Sequence, residues 1–124
     1  MKQQINTTNA PAAIGPYSQG INTGNLVFVS GQLPLCPITG KLETEITAAT
    51  KQIFENMRAI LAESNLDMNN VVKVTIFMTD LEMFAEMNKI YATYFNEPFP
   101  SRSCVQVCRL PKNAIIEAEC IATV

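Results

Sequence analysis

Alternation of apolar and polar positions is most regular at the C-terminal end of the chain. Ile116, Ala118, Cys120, Ala122 and Val124 point one way along an extended strand, while Ile115, Glu117, Glu119, Ile121 and Thr123 point the other. One face suits a core and the other carries two carboxylates. A strand rich in Val and Cys is predicted just before it, from about Arg102 to Leu110. It begins only after Pro98 and Pro100, because proline cannot donate a ladder hydrogen bond. The turn Pro111-Lys112-Asn113 joins the two.

Upstream, residues Met1 to Thr8 fit a short edge strand, and Asn9 to Tyr17 a loop set by Pro11, Gly15 and Pro16. A hairpin follows, with strands over Gln19–Ile21 and Leu26–Ser30 around the turn Asn22-Thr23-Gly24-Asn25. Leu26 to Val29 is apolar on both faces, the pattern of a strand covered on both sides. Gln32 to Leu42 is broken by Pro34, Pro37 and Gly40.

Helical spacing then takes over. Ile46, Ala49, Ile53, Phe54, Met57, Ile60 and Leu61 form one apolar stripe, predicting a core-facing helix from an N-cap at Thr44 to about Ser64-Asn65. Glu43 and Glu45 are placed to favour its positive end. A strand over Val71–Thr79 puts Val72, Val74, Ile76 and Met78 on one face and Lys73, Thr75, Phe77 and Thr79 on the other. Asp80 is placed to cap a second helix to about Phe95, with the stripe Leu81, Phe84, Asn88, Tyr91, Phe95. Asn88 interrupts that stripe, and a buried amide needs partners. It either pins backbone or lines a pocket.

This order predicts an α+β fold, a mixed sheet with both helices on one face. The other sheet face carries Phe77, apolar residues of Leu26–Val29 and one side of Arg102–Leu110, too apolar to be left in water. Self-association through that face is the expected remedy.

Composition narrows the chemistry. A chain of 124 residues is expected to form one domain, spanning 1–124, and 48% hydrophobic with 16% charged residues is a globular balance. A net charge of −2 and a pI near 5.1 supply no basic footprint for nucleic acid, so nucleic-acid binding is not expected. The first residues have no apolar signal-like core and no run is long enough to span a bilayer, which predicts a cytoplasmic protein without membrane partners. There is no histidine, so Ser-His and Cys-His pairs, imidazole metal sites and the usual base near neutral pH are excluded.

Four cysteines raise the question of zinc or disulfides. Cys104 and Cys108 lie four apart on a predicted strand, roughly 13 Å between Cα atoms, too far for one bridge or one metal. They read as reduced half-buried thiols, and no metal is expected. A nucleophilic Cys104 is a minor reading, because only Arg102 is near enough in sequence to lower its pKa.

Arg102 and Glu117 can lie near each other if their strands share a sheet. They then form either a structural ion pair or a site in which a guanidinium grips a carboxylate beside a second carboxylate that handles protons. Tyr17 sits on a stiff loop after Gly15-Pro16, facing either a pocket or water. Ser30-Gly31 ends its strand with a donor and a residue lacking Cβ, which permits close approach.

The stretch Pro100-Ser-Arg-Ser-Cys-Val-Gln-Val-Cys-Arg-Leu-Pro-Lys112, followed by Ile116-Glu-Ala-Glu119, resembles the C-terminal signature of the RidA (YjgF) family of enamine/imine deaminases. Asn9-Ala-Pro-Ala-Ala-Ile-Gly-Pro-Tyr-Ser-Gln19 and Val29-Ser-Gly-Gln32 match in the same order. The resemblance implies a chorismate-mutase-like fold, a homotrimer with sites between subunits, and hydrolysis of 2-iminobutanoate and 2-iminopropanoate to 2-oxo acids and ammonia. Such imino acids are released by pyridoxal-phosphate-dependent dehydratases. It further implies that Arg102 binds the substrate carboxylate, the Cys104 backbone contacts the imine nitrogen, and Glu117 activates water, with no cofactor. Tyr17, Ser30, Gly31 and Asn88 match further pocket positions. Only the family pattern selects Glu117 over Glu119. The alternative function is a non-catalytic small-ligand module that regulates a protein partner. Ribonuclease activity, also attributed to related proteins, is opposed by the acidic charge and the lack of histidine.

Overall fold

A computed structural model describes residues 1–124. Six strands form one sheet: β1 (Gln3–Ile5), β2 (Gly20–Asn22), β3 (Leu26–Gln32), β4 (Val71–Met78), β5 (Ser101–Gln106) and β6 (Ile116–Thr123). Two helices, α1 (Ile46–Ala62) and α2 (Phe84–Tyr94), complete the mixed α+β architecture. The strand order is β1-β2-β3-β6-β4-β5. β6 runs antiparallel to both β3 and β4, and β4 pairs with β5 in parallel.

The two helices share the face on which Val27, Val29, Val74, Ile76, Met78, Ile116, Ala118, Cys120 and Ala122 are buried, and these join one core with the α1 stripe. Phe54 of α1 is fully enclosed and meets Tyr91, Tyr94 and Phe95 at ring-centroid distances of 5.6, 5.4 and 5.7 Å. Burial of one such side chain contributes about 1.5–3 kcal/mol. α1 therefore fastens α2 as well as the sheet.

Several boundaries differ from the sequence-based expectation. The N-cap of α1 is Glu45, not Thr44, because the Glu45 carboxylate accepts from Ala48 N at 2.9 Å. The helix stops at Ala62, and Asn65 turns the chain away with φ 58°. Asp80 caps a short 3-10 turn, Leu81–Met83, through Glu82 N, and α2 starts only after it. That turn rotates Leu81 outward to 40% exposure and brings in Met87, which is fully buried.

In β4 the expected inward Val72 is 43% exposed, because the register with β6 shifts between Val71 and Lys73. Asn22 belongs to β2 and not to the turn. β5 ends at Gln106 instead of Leu110, and residues 107–110 form an irregular approach to the turn at Pro111–Asn113. The largest difference is topological: β5 and β6 are not neighbours, because β4 lies between them. The face opposite the helices carries Phe28 and Val105, 41% and 45% exposed, with the half-buried Phe77 and Ile121.

Candidate active site

Glu117 lies on the sheet face away from the helices, where β6 passes β3. At this point the β3–β6 register shifts between Val29 and Gln32, leaving Ser30 and Gly31 outside the regular ladder. A Cβ at Gly31 would overlap Glu117 Oε2 and sit 2.9 Å from its Cδ, so only glycine leaves room for the carboxylate. The Glu117 carboxyl is pushed up from its ordinary pKa by burial first and by the neighbouring Glu119 charge second. It lines a cavity of about 700 Å³ together with Tyr17, Ser30, Gly31, Lys112 and Glu119.

The cavity walls are loops held by buried amides. Gln19, 1% exposed, donates to Thr7 O, Ala10 O and Pro11 O at 3.0, 3.3 and 2.8 Å and accepts from Thr7 N at 2.7 Å. Ser30 Oγ donates to Ser18 O at 2.6 Å, beside Tyr17, so this hydroxyl ties the loop to β3. Tyr17 itself is 52% exposed. On the other side, Asn56 of α1 donates to Leu33 O and Leu35 O at 3.3 and 2.9 Å, fixing the irregular segment after β3. Neither Gln19 nor Asn56 stands out in the sequence, because each acts through backbone distant along the chain.

Arg102 has quite different surroundings. Its register partner is the inward-facing Val74, so its side chain lies on the helix face of β5. Asn88 Oδ1 accepts from Arg102 Nη1 at 2.7 Å, and the guanidinium carbon lies 4.5 Å from the Tyr91 ring centroid and 5.4 Å from that of Phe84. A smaller cavity, about 400 Å³, is lined by Asn88, Tyr91, Ala92, Phe99, Pro100 and Arg102. The ion pairs of the chain are Arg58–Glu55 and Lys89–Glu86, so Arg102 has no carboxylate partner of its own.

Cys104 lines neither cavity. Its Sγ lies 3.7 Å from Met78 Sδ, and burial pushes the thiol pKa up against the opposing pull of Arg102. That is the environment of a protonated thiol, not of a nucleophile. Its peptide groups are placed differently. Val107 N donates to Met78 O, so alternate residues of β5 address β4, and the N–H and C=O of Arg102, Cys104 and Gln106 point to the free edge.

Within one chain, then, Tyr17, Ser30, Gly31 and Glu117 come together, and Asn88 and Arg102 come together elsewhere. The expected proximity of Arg102 and Glu117 is not found. Two inter-strand spacings, about 10 Å, separate β5 from β6, and the two side chains leave the sheet on opposite faces. The structural ion-pair reading falls with it.

Residues 7–124 match the family described as Endoribonuclease L-PSP. The chain is 46% identical over 125 residues to the 2-iminobutanoate/2-iminopropanoate deaminase of Escherichia coli strain K12, covering 98% of each. It is similar to the crystal structure of E. coli TdcF with bound serine, with TM-score 0.94 and 43% identity over 98% of both chains. RidA from the Antarctic bacterium Psychrobacter sp. PAMC 21119 gives TM-score 0.95 and 42% identity, covering 98% of this chain and 99% of that one.

Proposed function

The chain belongs to the RidA (YjgF) family, and from that premise we propose that it hydrolyses 2-iminobutanoate and 2-iminopropanoate to the 2-oxo acids and ammonia. The observation that carries this reading is Arg102: a partly buried guanidinium, held by Asn88 and stacked on aromatic rings, with no carboxylate partner. A cation kept in that state is suited to a planar anion from outside, and a 2-imino acid supplies a carboxylate next to the reacting carbon.

Glu117 is the proton-handling partner. Its carboxylate accepts a proton from water as the water oxygen bonds to the imine carbon, and passes that proton to the imine nitrogen, giving the neutral carbinolamine. Glu117 then takes the remaining hydroxyl proton as the C=O bond forms, and returns it to the nitrogen as the C–N bond breaks and ammonia leaves. Water contributes the carbonyl oxygen and both protons needed by the nitrogen. The raised Glu117 pKa supports this role, since a carboxyl that titrates closer to the working pH both accepts and returns a proton readily. The free-edge peptide groups of Cys104, beside Arg102, are suited to hold the imine nitrogen. No metal or cofactor is needed for attack on an already electrophilic imine.

Opposite sheet faces keep Arg102 from serving the Glu117 of its own chain. A complete site therefore combines the Arg102, Cys104 and Asn88 of one subunit with the Glu117, Gly31, Ser30 and Tyr17 of another. The apolar residues around Phe28, Phe77 and Val105 are suited to the contact. A closed ring satisfies every copy at once, and the family resemblance supports three.

The name of the matched family points to RNA, but the acidic pI and the lack of histidine favour a small anionic substrate. No helix is long and apolar enough to cross a membrane, in keeping with a substrate met in the cytoplasm. The test is a trapping competition. A threonine dehydratase releases 2-iminobutanoate from threonine, semicarbazide captures it, and the protein competes. Capture should fall with wild type and recover with Arg102→Ala and with Glu117→Ala, each losing about 10²–10⁴-fold in rate. Binding of 2-oxobutanoate without any effect on capture would instead support the regulatory-module alternative.

A further inference from the structure

We propose that Tyr91 is a positioning residue for Arg102, its ring forming with that of Phe84 a shelf that fixes the plane in which the guanidinium meets a carboxylate. The inference rests on the proposed role of Arg102 as the carboxylate binder. Phe84, Asn88 and Tyr91 stand four and three residues apart on α2, so they form one stripe facing β5. The Arg102 guanidinium lies against both rings, closer to Tyr91, and Asn88 takes one N–H. Three side chains of one helical stripe thus form a socket for one flexible cation.

The shelf is itself fixed. Tyr91 is 5% exposed, packs edge-on to Phe54 at 5.6 Å and leans on Phe95 at 4.6 Å. A free arginine samples many rotamers, and a fork that binds two carboxylate oxygens at once works only if its plane is set beforehand. Contact with two ring faces sets the plane, and the Asn88 bond sets the rotation within it. The Tyr91 hydroxyl has no part in this, because it is buried without a hydrogen-bond partner. Tyr91→Phe therefore keeps the shelf, and Tyr91→Leu removes it.

The experiment compares the assembled wild type, Tyr91→Phe, Tyr91→Leu and Phe84→Leu. It reads KM and kcat for 2-iminobutanoate, 2-oxobutanoate affinity by calorimetry, and the Arg102 Nε–Hε NMR signal, assigned by its loss in Arg102→Lys. Loss of the Tyr91 ring should raise KM and weaken 2-oxobutanoate binding about 3- to 30-fold, with a smaller fall in kcat, and should move the Nε–Hε signal out of its ring-current shift. Phe84→Leu should move the same readouts less, and it also serves if Tyr91→Leu does not fold. Tyr91→Phe should move them far less than Tyr91→Leu. A loss of thermal stability in Tyr91→Leu with unchanged affinity and an unchanged Nε–Hε signal would overturn the proposal, and so would equal damage from Tyr91→Phe. Failure of the wild type to hydrolyse the imine would sink the proposed function instead, leaving the shelf to stand or fall on the Nε–Hε signal and 2-oxobutanoate affinity.

Discussion

Glu117 and Arg102 lie on opposite faces of one sheet, in surroundings built by different means. Around Glu117 the walls are loops and a disturbed strand, tied together by Gln19, Ser30 and Asn56 through bonds to backbone carbonyls. Around Arg102 the walls are side chains of one helix, α2, together with Phe99 and Pro100 just before β5. Burial beside a second carboxylate perturbs Glu117, while rings and one amide hold the Arg102 guanidinium without neutralising it. Each half is organised within its own chain, and in the proposed reaction neither would have the groups to act alone. A fold that separates a carboxylate from its natural ion-pair partner keeps both charges available, and on the proposed reading association would bring them to one substrate.

The most severe test of that division is complementation. Arg102→Ala and Glu117→Ala proteins should each be nearly inactive. Unfolded together and refolded as a mixture, they should regain about a quarter of the wild-type rate, since random assembly pairs an intact Arg102 with an intact Glu117 at one site in four. Mixtures that stay inactive, after mixed oligomers have been verified by native mass spectrometry, would put both residues in the same chain's site and contradict the separation of the two faces.

Next in size is a change confined to the Glu117 half. Gly31→Ala puts a methyl group where the Glu117 carboxylate lies. Displacing a catalytic group by about 1 Å costs on the order of 10²-fold. The expected result is a fall in kcat of that order, with 2-oxobutanoate affinity changed much less because Arg102 is untouched. Equal losses in both would mean that the two halves are not independent.

Much of this arrangement was legible in the residues themselves. The alternation along β6 put Glu117 and Glu119 on the face away from the core, and the α1 stripe identified the covering helix. Asn88 was visible as a polar break in an apolar stripe, and its partner proved to be Arg102. The insertion of β4 between β5 and β6 was not legible. Strand order is decided by long-range packing, and nothing local to either strand records which neighbour it takes. The loop-pinning amides Gln19 and Asn56 escaped for the same reason, and the 3-10 turn after Asp80 altered the α2 stripe by admitting Met87. The Glu117 pKa was likewise out of reach, because burial belongs to the folded chain.

The gentlest perturbation separates the two causes of that shift. Desolvation and the Glu119 charge both raise the Glu117 pKa above its ordinary value of 4.5. The ionised carboxylate is the form that accepts a proton from water, so kcat should fall as pH drops through the raised pKa. Glu119→Gln removes the smaller cause and leaves burial in place. The acid limb of kcat should therefore move to lower pH and remain above the ordinary glutamate value. Stability runs the opposite way with pH. A raised folded-state pKa means that the contribution of Glu117 is full below the unfolded value and declines as pH rises through the folded one, so Glu119→Gln should flatten that decline. Denaturant melts across the same pH range provide the second reading. A limb that does not move with Glu119→Gln would assign the whole shift to burial, whereas one that vanishes with Arg102→Lys would transfer the titrating group to the other half of the site.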